Sequence, residues 1–113
     1  MKVTIITVCL NSQKTIQNTI DSVLSQDYSD LEYIVVDGGS TDKTLDILGG
    51  YKDRINLFIS ERDDGIYDAM NKGISHSSGD LIGILNSDDI YAKNTVITEV
   101  INLYKKNPCN IIF

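Results

Sequence analysis

Four short apolar runs, each followed by a segment with helical spacing, constrain this chain more than any other feature. The first, Val3 to Leu10 (VTIITVCL), is β-branched and almost wholly apolar, as a strand covered on both faces should be. From Thr15 the apolar positions Ile16, Ile20, Val23 and Leu24 keep helical spacing until the polar turn Asp27-Tyr28-Ser29-Asp30 interrupts it. Asn11-Ser12 are expected to supply the N-cap of that helix. A second strand is expected over Tyr33 to Val36, cut off by Asp37-Gly38-Gly39. Ser40, Thr41 or Asp42 would then cap a helix through Leu48, ended by Gly49-Gly50. Ile55 to Ile59 reads as a third strand, Tyr67 to Ile74 as a short helix, Leu81 to Leu85 as a fourth strand, and Val96 to Tyr104 as a helix before Pro108.

Strands alternating with helices argue for a parallel sheet with right-handed crossovers. The expected fold is therefore α/β: a doubly wound, mostly parallel sheet in a three-layer sandwich. A chain of 113 residues is one domain by length, and no repeat, linker or low-complexity segment divides it. Asn110-Ile111-Ile112-Phe113 resembles the opening of a fifth strand, so the domain is expected to continue past Phe113. An unpaired edge of that kind also predicts self-association.

Sixteen Asp and Glu against 10 Lys and Arg give a formal charge of -6, opposite to the basic footprint that binding a nucleic-acid backbone requires. Cys9 and Cys109 lie in or beside apolar runs with no metal-ligand spacing, and both read as buried thiols. Val3 to Leu10 is too short for a signal-peptide core with its flanks and much too short to span a bilayer. The expected compartment is the cytosol, with peripheral contact at the inner face of the membrane left open.

The chemistry concentrates between Glu61 and Asp89, where ERDDGIYDAMNKGI precedes an apolar run ending in LNSDD. Asp88 and Asp89 follow the fourth strand directly and should stand at its carboxyl end, where open α/β sheets bind ligands. Two adjacent carboxylates repel a phosphate unless a divalent cation lies between them, and oxygen ligands suit Mg²⁺ or Mn²⁺. The expected ligand is a metal-chelated nucleotide.

DGIYDAMNKG and NSDD, taken with VVDGGSTD after the second strand, make the chain resemble the inverting family 2 glycosyltransferases of GT-A fold. Three motifs in order carry the resemblance, which covers essentially all 113 residues and corresponds to the nucleotide-sugar half of that family. It implies a nucleoside diphosphate sugar as donor, with UDP favoured because the family most often uses it, and a saccharide or lipid-linked acceptor. Asn86, Ser87 and Asp88 occupy the family's metal-binding DxD. Asn86 replaces the first acid, so Asp88 and the diphosphate oxygens would hold the cation chiefly.

The resemblance also places Val8 to Leu10 at the base pocket, with Leu10 where an aromatic is common. It aligns Asp37 and Gly38 with an acidic pair that meets the base or ribose. A carboxylate at Asp37 could accept from a ribose hydroxyl or from the imide N–H of uracil, thymine or guanine; its other reading is a turn former with Gly38-Gly39. Asp64 matches the family's acid ahead of Gly65, where the backbone can approach a ligand. If the helix starts near Ile66, its amides face the diphosphate, and Tyr67, Asn71 and Lys72 line or approach the donor. Lys72 reads equally as a solvated lysine. Asp89 could support the metal or cap a turn, and His76 reads as a solvated loop residue.

The implied reaction needs a base to deprotonate the acceptor. No residue from Ile90 to Phe113 matches one, Glu99 lying mid-helix, so the base is expected beyond Phe113. A nucleotide-binding module without transfer activity is the alternative. A receiver-type signalling domain is disfavoured, because the first strand ends in Cys9-Leu10-Asn11 with no carboxylate.

Overall fold

The computed structural model describes residues 1–107. The elements follow one another as β1 (Val3–Cys9), α1 (Ile16–Leu24), β2 (Leu31–Asp37), α2 (Thr44–Gly49), β3 (Leu57–Ser60), α3 (Ile66–His76), β4 (Leu81–Ile84) and α4 (Val96–Lys106). Among the described residues the four strands form one sheet in the order β3-β2-β1-β4, and every pairing is parallel. The expected α/β architecture is the observed one. The opening of a fifth strand expected at 110–113, and Cys109, lie outside the described residues.

Alternation along the strands divides the core in two. Val3, Ile5, Tyr33 and Val35 face Ile16, Ile20 and Val23 of α1, with Leu48 of α2 and Ile97 and Ile101 of α4. Ile6, Val8, Ile34 and Val36 face Ala69 of α3. One helix therefore covers the second face alone, and its fit is close: a Cβ at Gly73 would stand 2.5 Å from Ile6 Cγ2. β1 is buried along its whole length, so its apolar composition follows from having strands on both edges and helices on both faces.

Helix starts depart from the sequence expectation for a physical reason. Asn11-Ser12 do not cap α1. The Ser12 carbonyl accepts the amides of Thr15 and Ile16 in a preceding turn, and the helix begins only at Ile16. Asn11 is instead left-handed, at φ 49°, and its Oδ1 accepts the Thr41 amide at 2.8 Å, tying the loop after β1 to the loop after β2. The N-cap position of α2 falls on Lys43, which makes no side-chain cap bond; Asp42, one residue earlier, accepts the amide of Thr44, the first residue of the helix, at 2.9 Å. His76 closes α3 rather than lying in a loop, with its Nδ1 donating to the Lys72 carbonyl at 2.8 Å. The helix pattern was obscured there by the polar residues of its last turn.

Candidate functional site

β1, β2 and β3 step outward to one side of the sheet, and α3 returns the chain to the other side of β1. Connections that diverge this way open a crevice at the carboxyl ends of the central strands. A cleft of about 720 Å³ lies there, between residues 8–15 on the β1 side and Asn86, Ser87 and Asp88 beyond β4. Asp42 and the start of α3, with Asp63, Gly65 and Ile66, complete its walls.

The NSDD loop is fixed from three directions. The Ser87 amide donates to the Val8 carbonyl at 3.2 Å, and the Asp89 amide closes a turn onto the Asn86 carbonyl at 3.0 Å. The Thr19 hydroxyl, buried in α1, lies 2.9 Å from the Ser87 carbonyl and 2.6 Å from that of Asp89, sharing one proton between them. Asp88 is thereby held exposed at the tip of the turn and on the cleft wall, whereas Asp89 is outside the lining.

Asn86 also lines the cleft, and its Oδ1 is buried with no hydrogen-bond partner. Buried polar atoms are nearly always paired, so an orphan calls for a ligand or a role. An amide oxygen beside a carboxylate is an oxygen donor set suited to a hard divalent cation. Among the described residues no group of three or more His, Cys, Asp and Glu gathers to hold a metal. A cation here would take its remaining ligands from substrate oxygens and water, as Mg²⁺ commonly does.

Val8, Leu10 and Gly65 line the same cleft, so the structure brings them together with Asn86 and Asp88. Gly65 precedes α3 at φ 114°, a conformation that favours glycine. Leu10 is 56% exposed, leaving an aliphatic rather than a stacking surface.

Asp37, Asp64, Asn71 and Lys72 lie outside the lining. Asp37 is fully buried. Its Oδ2 accepts the amides of Gly39 and Ser40 at 3.1 and 2.9 Å and the Ser60 hydroxyl at 3.0 Å, while Oδ1 takes the Ser40 hydroxyl. Burial pushes its carboxyl up, but these donors outweigh burial and hold it below the usual carboxylate range. The residue joins the turn after β2 to the end of β3. Lys72 is drawn away from the cleft into ion pairs with Glu61 at 3.0 Å and Asp68 at 3.4 Å. Asp64 is exposed, with its amide on Asp68 Oδ2 at 3.0 Å, and Asn71 is exposed on α3.

Three charged cleft residues escaped the sequence reading: Lys14, the one cation in the lining among the described residues, Asp42 and Asp63. Of the adjacent acids in ERDDG, Asp63 turns inward because its Oδ1 accepts the Gly65 amide at 3.0 Å. That Asx-type contact two residues ahead of a glycine was the available signal. Lys14 and Asp42 carry no local signal, since the crossing of loops 11–15 and 40–44 is a tertiary event.

Solved structures share this architecture. Staphylococcus aureus TarS (residues 1–349), in complex with UDP-GlcNAc, superposes with a TM-score of 0.85 at 27% identity, over 94% of this chain and 32% of that one. A mannosyltransferase from Pyrobaculum calidifontis, in complex with GDP-Man and Mn²⁺, superposes at 0.84 with 24% identity, over 91% and 32%, a likeness of fold alone. In sequence, the chain is 40% identical over 100 residues to an uncharacterized glycosyltransferase of Mycobacterium tuberculosis, covering 88% of this chain and 38% of that protein. It is 31% identical over 108 residues to a PGL/p-HBAD biosynthesis glycosyltransferase of Mycobacterium bovis, covering 92% and 42%. The chain thus spans about two fifths of the length of these curated relatives. The family model described as glycosyl transferase family 2 matches residues 4–113, which include both walls of the cleft, and the chain belongs to that family.

Proposed function

We propose that this chain is the nucleotide-sugar-binding part of a glycosyltransferase that moves a hexose or N-acetylhexosamine from a nucleoside diphosphate, UDP by preference, onto a saccharide or lipid-linked acceptor. The observation that carries this reading is the cleft at the switch point, which sets Asp88 and the unpartnered oxygen of Asn86 on one wall and the start of α3 on another. Asp88 and Asn86 present oxygens to a Mn²⁺ or Mg²⁺ ion. When bound, such a cation neutralises charge that develops on the departing diphosphate. Lys14 adds a positive charge from the loop after β1, and the first amides of the 11-residue α3 face the anion with their partial positive charge. Val8 and Leu10 give the base an apolar seat. The base that takes the acceptor proton is assigned to no residue of this chain. No helix among the described residues is long and apolar enough to cross a membrane.

Calorimetry of this chain with UDP, dTDP and GDP, with and without Mn²⁺ or Mg²⁺, tests the reading. Binding that requires the metal and is lost in Asp88→Ala is expected. Equal affinity in EDTA would remove the metal role, and no binding of any of the three would remove the nucleotide.

A further inference from the structure

The segment from Glu61 to Gly65 joins β3 to α3 and brings Asp63 and Gly65 into the cleft wall. Apolar burial does not hold it there: Glu61, Arg62, Asp64 and Gly65 are exposed, and Asp63 is half-buried. Asp63 lies over the backbone of Gly38, where a Cβ would stand 2.6 Å from its Oδ2. Its Oδ1 accepts the Gly65 amide, a contact that shapes the turn without tying it to another element.

The ties come from α3. Asp68, in the first turn of that helix, accepts the Asp64 amide on Oδ2 at 3.0 Å, an acid reaching back to the chain ahead of its helix much as in a capping box. The same oxygen lies 3.4 Å from Lys72 Nζ, and that nitrogen lies 3.0 Å from Glu61 Oε1. Lys72 thus holds both ends of the segment: Glu61 where the chain leaves β3, and Asp68, which grips Asp64 where the chain enters α3. The lysine is itself anchored. Its side chain is only 22% exposed, and the next residue, Gly73, packs so closely on β1 that a Cβ there would stand 2.5 Å from Ile6 Cγ2. A close-packed contact of that kind leaves the helix little room to shift.

We propose that Lys72 is a positioning residue: by bridging Glu61 and Asp68 it fixes the segment 61–65, and with it the Asp63 and Gly65 wall of the cleft, without touching the ligand. The inference rests on the nucleotide reading above and adds to it the device that sets one wall in place. A single exposed ion pair contributes little, but here one cation is shared by two carboxylates, and one of those also takes a backbone amide, so the contacts form a network. A ligand that uses this wall meets it already ordered and is spared the entropy of ordering it on binding.

The test turns on the sign of one substitution. Lys72→Met keeps the packed stem of the side chain and removes its charge. Its affinity for UDP in Mn²⁺, read by calorimetry, should fall about three- to fivefold, with the urea midpoint close to wild type and faster hydrogen exchange at the Asp64 amide. Lys72→Arg, whose fork can still meet two carboxylates, should restore most of the affinity. Glu61→Gln should weaken UDP binding as well, because it cuts the same bridge, and combining it with Lys72→Met should add little to the loss. A lysine that contacts phosphate predicts the opposite, since removing Glu61 frees its charge for the anion. Tighter UDP binding by Glu61→Gln, or unchanged affinity in Lys72→Met, therefore overturns the positioning role while leaving nucleotide binding intact. A wild-type chain that binds no UDP in Mn²⁺ removes the nucleotide reading and this role with it.

Discussion

The hydroxyls of Ser12 and Ser87 meet at 2.7 Å, so the loops that leave β1 and β4 touch at the point where their paths diverge. This contact joins the segment that carries Lys14 to the segment that carries Asp88. Each alanine substitution should cost about 1 kcal/mol in urea unfolding. The double variant should cost less than the sum of the two, because both singles remove the same bond. Strict additivity, within about 0.3 kcal/mol, would show that the two hydroxyls are not coupled.

Thr19 anchors the same loop from below. Its hydroxyl is shared between the Ser87 and Asp89 carbonyls, and Thr19→Val keeps the shape of the side chain while removing the only proton. Stability should fall by about 1 to 3 kcal/mol, and metal-dependent nucleotide affinity should fall with it as the NSDD turn loosens. A variant with an unchanged unfolding midpoint would mean that the two carbonyls find other donors.

The buried carboxylate of Asp37 makes stability depend on acidity. Its folded pKa is held below the usual carboxylate value, so as pH falls the unfolded chain takes up the proton first. The contribution is complete above about pH 4, the value for an unfolded aspartate, and is lost as pH falls below that toward the folded value. Glu32 acts in the same sense: burial pushes it up, but the Ser78 amide and the Thr4 and Ser78 hydroxyls hold it low, with Lys2 adding charge. Urea midpoints of the wild type should therefore drop between pH 5 and pH 3. Asp37→Asn should be less stable at pH 7 and show a shallower drop, with the residual slope belonging to groups such as Glu32. A slope identical to wild type would show that Asp37 does not drive the transition.

The order of strands and helices was legible because each element carries its own period: VTIITVCL alternates nowhere and must be buried on both faces, and Ile16, Ile20 and Val23 fall on one stripe. What the chain does not spell out locally is which polar atoms face each other after folding. Asp37 could be read as turn former or ligand contact, and the choice depends on Ser60, 23 residues away, reaching its Oδ2. Lys72 could be read as phosphate contact or solvated cation. Its partner Glu61 lies 11 residues earlier, on the far side of the turn at Gly65. The inward turn of Asp63 rather than Asp64 depends on the backbone of Gly65 and on the empty side-chain position at Gly38, a pairing across two loops that no single motif contains.

Asn86 offers the sharpest separation of folding from binding. Its Oδ1 is buried and receives no hydrogen bond, so alanine removes nothing that stabilises the fold and relieves an unpaired polar atom. Asn86→Ala should unfold within about 0.5 kcal/mol of wild type yet bind UDP more weakly in Mn²⁺, by roughly tenfold if the amide oxygen serves the cation. Asn86→Asp should act oppositely on the metal, because a second carboxylate beside Asp88 adds charge to the cation site and lowers the Mn²⁺ concentration needed for half-saturation. It should also lose stability when no metal is present, since two carboxylates then face each other without a counter-charge. If Asn86→Ala instead loses several kcal/mol of stability, the amide has a structural partner in solution and its oxygen is no vacancy for a ligand. If both variants keep the wild-type Mn²⁺ dependence, Asp88 holds the cation without its neighbour.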